Sequence, residues 1–225
     1  MVKMKKKLTV IVALCLILSL TGCKMIGGFD AAGYTEAVLD QNLKGDVKEA
    51  KDRMEGVTEK ELKTQYEERI ASFVDQTLIS GVQVDDQLKS KYTQVCKRIF
   101  KDLKYEVKQA DKINKSLYEV KVEMQPADVF QTFQAAVKTE SEKLVTKAKN
   151  GEYKGTEDEI TQQMEKEFVD HAYQLLVTSY DNMKFQEKET FVFHVTKEDG
   201  KAFMIKEEEL SSFILQILHL DKIQD

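Results

Sequence analysis

A chain of 225 residues with 34 basic and 39 acidic side chains has a net charge of −5, the wrong sign for a nucleic-acid backbone or for anionic lipid headgroups. Nucleic acid is therefore not an expected partner. Three cysteines, a single proline and no tryptophan exclude a disulfide scaffold and a proline-rich linker protein, and leave a globular chain with few breakers and long helices.

The first element is a leader in three parts. Met1 to Lys7 is basic, Leu8 to Leu20 is an uncharged apolar run of 13 residues, and Thr21-Gly22 is small, which is the pattern of a secretory signal peptide. The run is shorter than the roughly 20 residues a bilayer-spanning helix needs. Leu20-Thr21-Gly22-Cys23 resembles the lipobox of bacterial lipoproteins, of the kind found uncharacterised in Gram-positive bacteria. The resemblance implies that residues 1–22 are removed and that Cys23 carries a diacylglyceryl anchor. It also implies that the mature protein sits on the outer face of the bacterial cytoplasmic membrane. Two acyl chains anchor durably where one binds marginally. Losing Lys3, Lys5, Lys6 and Lys7 leaves 30 basic against 39 acidic side chains, or −9, so the acyl chains must supply the membrane affinity. Cys15 departs with the leader. Cys96 is left unpaired, and beside Val95 and Ile99 it reads as a small buried hydrophobe.

Residues 23–33 read as the lipidated cysteine and a short glycine-containing tether. A helix follows from Tyr34 to Leu43, interrupted at Gly45-Asp46 before Val47 to Met54. Thr58-Glu59-Lys60-Glu61 is a capping box opening a helix with Leu62, Tyr66, Ile70, Phe73, Val74, Thr77 and Leu78 on one stripe, ended by Gly81. Val84 to Leu103 predicts a second helix with Leu88, Tyr92, Val95, Ile99 and Leu103 inward. The period then falls to two: Tyr105 and Val107, then Tyr118, Val120, Val122 and Met124, alternate with charge, with Asp111 to Ser116 as the turn of a hairpin. Pro126 suits the first turn of the next helix, whose apolar face is Val129, Phe130, Phe133, Val137 and Leu144. After a loop at Gly151 to Gly155, Thr156-Glu157-Asp158-Glu159 is a second capping box. It opens a long helix with Ile160, Met164, Phe168, Ala172, Leu175, Leu176 and Met183 inward. A second hairpin joins Phe185 to Thr196 with Lys201 to Ile205 through Glu198-Asp199-Gly200. Glu207-Glu208-Glu209 opens the last helix, where acids complement the dipole, and Leu210, Phe213, Ile214, Ile217 and Leu218 bury it.

The chain matches itself. At an offset of 98, Thr58 to Leu78 and Thr156 to Leu176 share seven identities in 21 positions, and at an offset of 80 the agreement runs on from Phe100 and Tyr180 into the following strands. One helical insertion between Ile79 and Lys97 explains the difference in offset. The expected fold is α+β and helix-rich: two repeated helix-helix-β-hairpin units (34–125 and 126–225) with antiparallel strands and a C-terminal helix, packed as one body. In element order this is similar to cystatin-like and nuclear-transport-factor-2-like domains, in which a helix lies on a curved sheet, although the strands here are fewer and shorter.

No phosphate-binding glycine loop, zinc-protease helix, C-x-x-C pair or nucleophile elbow is present. Glu167 and His171, one turn apart, could supply two metal ligands, but zinc sites use three or four, so His171 reads as a packed or boundary residue and no metal or other cofactor is expected. His194 falls mid-strand, and His219 ends a helix. The acidic clusters lie at helix starts, where capping explains them. Tyr105, Tyr118, Phe191 and Phe193 read as core, with the option of lining an apolar pocket. The expectation is a non-enzymatic binding or interaction module of the envelope, its partner an envelope protein or small ligand. An envelope hydrolase with a dispersed site is the alternative. A transporter's solute receptor fits less well, for want of repeated strand-helix-strand lobes.

Overall fold

The computed structural model describes residues 21–22, 28–197 and 202–222. Leu20, Cys23 and the Glu198-Asp199-Gly200 turn lie outside them. In chain order the elements are β1 (Thr21–Gly22), α1 (Ala31–Lys44), α2 (Lys48–Arg53), β2 (Met54–Glu55) and α3 (Glu59–Phe73). A π-turn (Val74–Leu78) then leads to α4 (Asp86–Lys101), β3 (Lys104–Asn114) and β4 (Leu117–Gln125). The chain continues through α5 (Val129–Lys149), α6 (Glu157–Asp181), β5 (Glu189–Lys197), β6 (Phe203–Ile205) and α7 (Glu207–Ile217) to a 3-10 turn (Leu220–Lys222). The fold is α+β, with helix, helix and hairpin occurring twice before the last helix.

The two hairpins form one antiparallel sheet in the order β3-β4-β5-β6, with β4 and β5 paired from Leu117↔Thr196 to Met124↔Glu189. The period-two pattern decides which face is buried. Tyr118, Val120, Val122 and Met124 of β4, with Phe193 and Val195 of β5, all point into the core. A one-residue slip would turn every one of them to water. A short two-stranded ribbon pairs β1 with β2.

Helix α1 lies against the inner face of the sheet and is buried along most of its length, including Tyr34, Val38, Leu39 and Leu43. Its buried polar side chains each donate a hydrogen bond, the Thr35 hydroxyl to Ala31 O (2.8 Å), Gln41 Nε2 to Leu62 O (3.2 Å) and Asn42 Nδ2 to Val38 O (2.7 Å), while Asn42 Oδ1 is buried without a partner. Helices α3, α4 and α7 close the core around it, and each fully buried Leu, Ile or Phe stabilises the fold by about 1.5–3 kcal/mol. Both capping boxes form as expected, at Thr58/Glu61 and Thr156/Glu159.

Five boundaries differ from the expectation. First, α1 starts at Ala31 rather than Tyr34, because Asp30 caps it by accepting from Gly33 N (3.0 Å) and is itself held by Arg53 (2.8 Å). Phe29 also stacks on Phe203 (4.3 Å between ring centroids), so residues 29–33 belong to the body and not to the tether. Second, α3 widens into a π-turn in which Ile79 N donates to Val74 O (3.1 Å). Third, β3 runs on to Asn114, and Asn114 Oδ1 accepts from Ser116 N (2.8 Å) to shape a tighter turn than Asp111 to Ser116. Fourth, Pro126 stands ahead of α5, in a segment that joins the two halves: Pro126 O accepts from Gln186 N (2.8 Å), and Ala127 N donates to Ile217 O (2.8 Å). Phe185 makes an isolated bridge to Ala127 in place of a strand, so β5 starts at Glu189. Fifth, no residue from Val145 to His171 is buried. Ile160, Met164 and Phe168, expected inward, are half-buried where the outer halves of α5 and α6 stand off the core.

Gly45 closes α1 in the left-handed region (φ 70°), and a Cβ built there would lie 2.7 Å from the Tyr66 ring. Gly45→Ala should therefore lose about 2 kcal/mol or more of stability, from the αL penalty and the clash together. Chemical denaturation compared with the parent protein checks this.

Candidate functional site

The cleft with the clearest chemistry is built by four helical segments, α3, the π-turn, α4 and α7. Arg69 and Ser72 of α3, Gln76 and Thr77 of the π-turn, and Glu207 and Ser211 of α7 surround it, with Phe73, Phe100, Leu210 and Ile214 as apolar walls. The cavity measures about 40 Å³, room for roughly three waters at 10–15 Å³ each. The local sequence explains the geometry. Arg69 follows Tyr66 by three residues and precedes Phe73 by four, so it lies at the rim of the α3 apolar stripe, and α7 then packs over that rim. The π-turn adds a residue to the helical circuit just where Gln76 and Thr77 face the cleft; such turns are frequent at functional sites.

Arg69 is the unusual group in this cleft. Its Nε and Nη1 are buried without a hydrogen-bond partner, and burial pushes the guanidinium down to about 10, with the Glu207 charge acting the other way. Burial likewise raises the Glu207 carboxyl, and Arg69 lowers it. The two charges feel each other but form no direct salt bridge. Buried donors without partners cost about 1–3 kcal/mol each, and neither Nε nor Nη1 is open to the space of the cleft.

The four aromatic residues read as core, with a pocket as the option, pack in the core (Tyr118, Phe193) or against it (Tyr105, Phe191). Phe213 of α7 fills the space beside them, its ring centroid 5.2 Å from Phe193, 5.4 Å from Phe191 and 6.1 Å from Tyr105. Tyr118 packs on Phe29 (5.7 Å) and Phe203 (5.3 Å). The Tyr105 hydroxyl donates to Asp40 of α1 (2.5 Å), which ties sheet to helix.

Each of the two longer-range histidines meets a carboxylate, away from the cleft. His171 Nδ1 lies 2.7 Å from Glu140 of α5. Glu167, one turn before His171, accepts from Lys147 and from the Tyr153 hydroxyl (2.7 Å). Glu140, Glu167 and His171 place three ligand atoms within 4.8 Å of one another. The third comes from a neighbouring helix, which spacing along α6 cannot reveal. Both acids already accept hydrogen bonds from lysines, Lys143 and Lys147, so the cluster acts as a polar clasp across the outer part of the α5–α6 pair. On the open sheet face, Glu209 of α7 accepts from His194 N (2.7 Å) and pairs with His194 Nδ1 (2.8 Å). It thereby satisfies an edge amide that the three-residue β6 does not reach. His219 takes the left-handed position just after α7 (φ 55°), where glycine is more usual.

Fold and cleft together define a helix-on-sheet α+β protein with a small, partly enclosed cleft that carries opposite charges. No protein-family model matches the chain, and no curated protein matches it in sequence. Among solved structures, a similar fold occurs in YcdA of Bacillus subtilis, a lipoprotein candidate, with a TM-score of 0.51 and 15% identity over 83% of this chain and 55% of that one. The chain spans about half the length of that protein, and at this identity the likeness is one of fold. Among the described residues, no helix is long and apolar enough to cross a membrane.

Two predictions follow from these environments. The His171 hydrogen bond, with Lys143 in support and burial opposing, holds the Glu140 carboxyl below the usual carboxylate range. A carboxyl lowered in the folded state contributes stability that is full above its unfolded value of about 4.3 and fades as pH falls through the folded value. Glu140→Gln should thus flatten the decline of the urea midpoint between pH 7 and pH 3. Cys96 is fully buried, and that burial raises its thiol well above the ordinary range. It should react with a thiol reagent only as fast as the protein unfolds, a rate that rises steeply with added guanidinium.

Proposed function

We propose that this chain is a lipid-anchored, non-enzymatic binding module held through Cys23 on the outer face of a bacterial cytoplasmic membrane. The observation that carries the reading is the leader: the basic start, the 13-residue apolar run and Leu20-Thr21-Gly22-Cys23 at its end. The fold shared with the Bacillus subtilis lipoprotein candidate supports it. So does the body that begins at Phe29, six residues beyond Cys23. Among the described residues, the histidine–carboxylate pairs lie outside the cleft and have no hydroxyl or thiol nucleophile bonded to them, which favours binding over hydrolysis. The ligand-meeting site in this reading is the Arg69–Glu207 cleft.

The repeated element order, with the capping boxes at Thr58 and Thr156 at matching positions, supports an origin by internal duplication. In that account the single helix α6 corresponds to the start of α3 joined to the end of α4. The placement of α1 across the sheet is the feature on which an analogy with cystatin-like and nuclear-transport-factor-2-like domains rests.

Cys23→Ala expressed in a Gram-positive host should move the protein from the membrane fraction to the culture medium. Continued acyl-dependent retention of the variant in the membrane overturns the anchor.

A further inference from the structure

We propose that Glu140, Glu167 and His171 form a binding site for a divalent transition-metal ion, Zn²⁺ by the chemistry of its ligands, which clamps α5 to α6. The inference is separate from the cleft and from the anchor. Glu167 and His171 stand one turn apart on α6 and share a face, but two ligands fall short of the three or four that a zinc site uses. Packing supplies the third. Helix α5 runs beside α6 and brings Glu140 Oε1 to 2.7 Å from His171 Nδ1. Among the described residues, this is the one set of three candidate ligand atoms that converge within 4.8 Å. Bonds of about 2.1 Å to a tetrahedral ion put ligand atoms about 3.4 Å apart, so the three close on zinc by side-chain adjustments on the order of 1 Å.

The surrounding hydrogen bonds suit this role. The Tyr153 hydroxyl donates to Glu167 Oε2 (2.7 Å) and Lys143 Nζ to Glu140 Oε2 (3.3 Å), contacts of the kind that orient a coordinating carboxylate from behind. Glu140 Oε1, Glu167 Oε1 and His171 Nδ1 are then left for the ion. Only Lys147, paired with Glu167 Oε1, has to give way. Its side chain is 40% exposed, and ion pairs of that kind contribute about 0–1 kcal/mol, so its displacement costs little. Two carboxylates and a neutral imidazole carry a charge that one divalent ion cancels. The imidazole favours zinc over magnesium or calcium, which take oxygen ligands. His171 is 48% exposed and Glu140 only 11%, which gives the ion an entry from solvent and leaves a fourth position for water.

The test is calorimetric titration of the full chain, freed of metal by a chelator and held in a nonionic detergent at pH 7, with Zn²⁺, Co²⁺, Mg²⁺ and Ca²⁺ as probes. Zn²⁺ should bind saturably at one ion per chain and at least tenfold more tightly than Mg²⁺ or Ca²⁺. Bound Co²⁺ should show the strong visible absorption of a four- or five-coordinate ion. His171→Gln, Glu167→Gln and Glu140→Gln should each weaken Zn²⁺ at least tenfold while circular dichroism stays unchanged. Should Glu140→Gln unfold, the more exposed His171 and Glu167 carry the test. His194→Gln, which removes the other histidine–carboxylate pair, should leave the affinity unchanged. Absence of saturable Zn²⁺ binding, equal affinity for Mg²⁺, unchanged affinity in His171→Gln, or loss of binding in His194→Gln overturns the proposal.

Discussion

The pairing of β4 with β5 is the constraint on which the rest of the structure depends. Each hairpin alone would be a two-stranded ribbon with one apolar face, which is marginal in water. Joined along eight residue pairs from Leu117↔Thr196 to Met124↔Glu189, they present a continuous floor of Tyr118, Val120, Val122, Met124, Phe193 and Val195. That floor is wide enough to seat α1. The remaining sides of the core are closed by α3 and α4 from the first half, which pack on α1, and by α7 from the second, which packs on β5. The segment at Pro126–Asp128 locks the arrangement, because its backbone bonds at once to Lys184, Gln186 and Ile217.

The cleft is a by-product of the same closure. Helix α7 must place Phe213 and Ile217 on the sheet, and this sets its first two turns against the end of α3. The α3 stripe is continuous only to Phe73, where the π-turn begins. A gap therefore opens between the π-turn and α7, and Arg69 is among the residues that line it. Elsewhere the outer halves of α5 and α6 stand beyond the core, and their contacts change in kind. Capping, the Glu140–His171 pair and the Glu167 bonds to Lys147 and Tyr153 replace apolar burial. Local stability there should be lower than in the core, since few apolar groups are buried.

What the sequence disclosed and what it withheld divide along a physical line. Capping boxes, the α4 stripe and the β4 alternation are local patterns, and all three appear in the structure as read. The β4–β5 pairing joins residues far apart in the chain, from Leu117↔Thr196 to Met124↔Glu189, and no period encodes it. The same holds for Glu140 meeting His171, and for Phe213 filling the space beside Tyr105, Phe191 and Phe193. Arg69 lies on the rim of an apolar helical stripe, between Tyr66 and Phe73, but so does Arg98 between Val95 and Ile99, which is exposed; the pattern alone does not tell them apart. The burial of Arg69 depends on α7, whose docking is a long-range event. The early start of α1 was also visible in outline, since Asp30 three residues before Gly33 is an N-cap pattern, but the glycines around it read as tether.

That early start has a mechanical consequence. Phe29 is pinned among Tyr34, Tyr118 and Phe203, six residues from Cys23, a stretch of chain that spans at most roughly 20 Å. In the lipid-anchored form proposed above, a body tied that closely to Cys23 would not tumble independently or sweep a volume larger than itself. In that form it would meet only what diffuses to within a molecular diameter of the bilayer surface. A small solute reaches such a site freely, whereas a bulky partner must itself be close to the membrane.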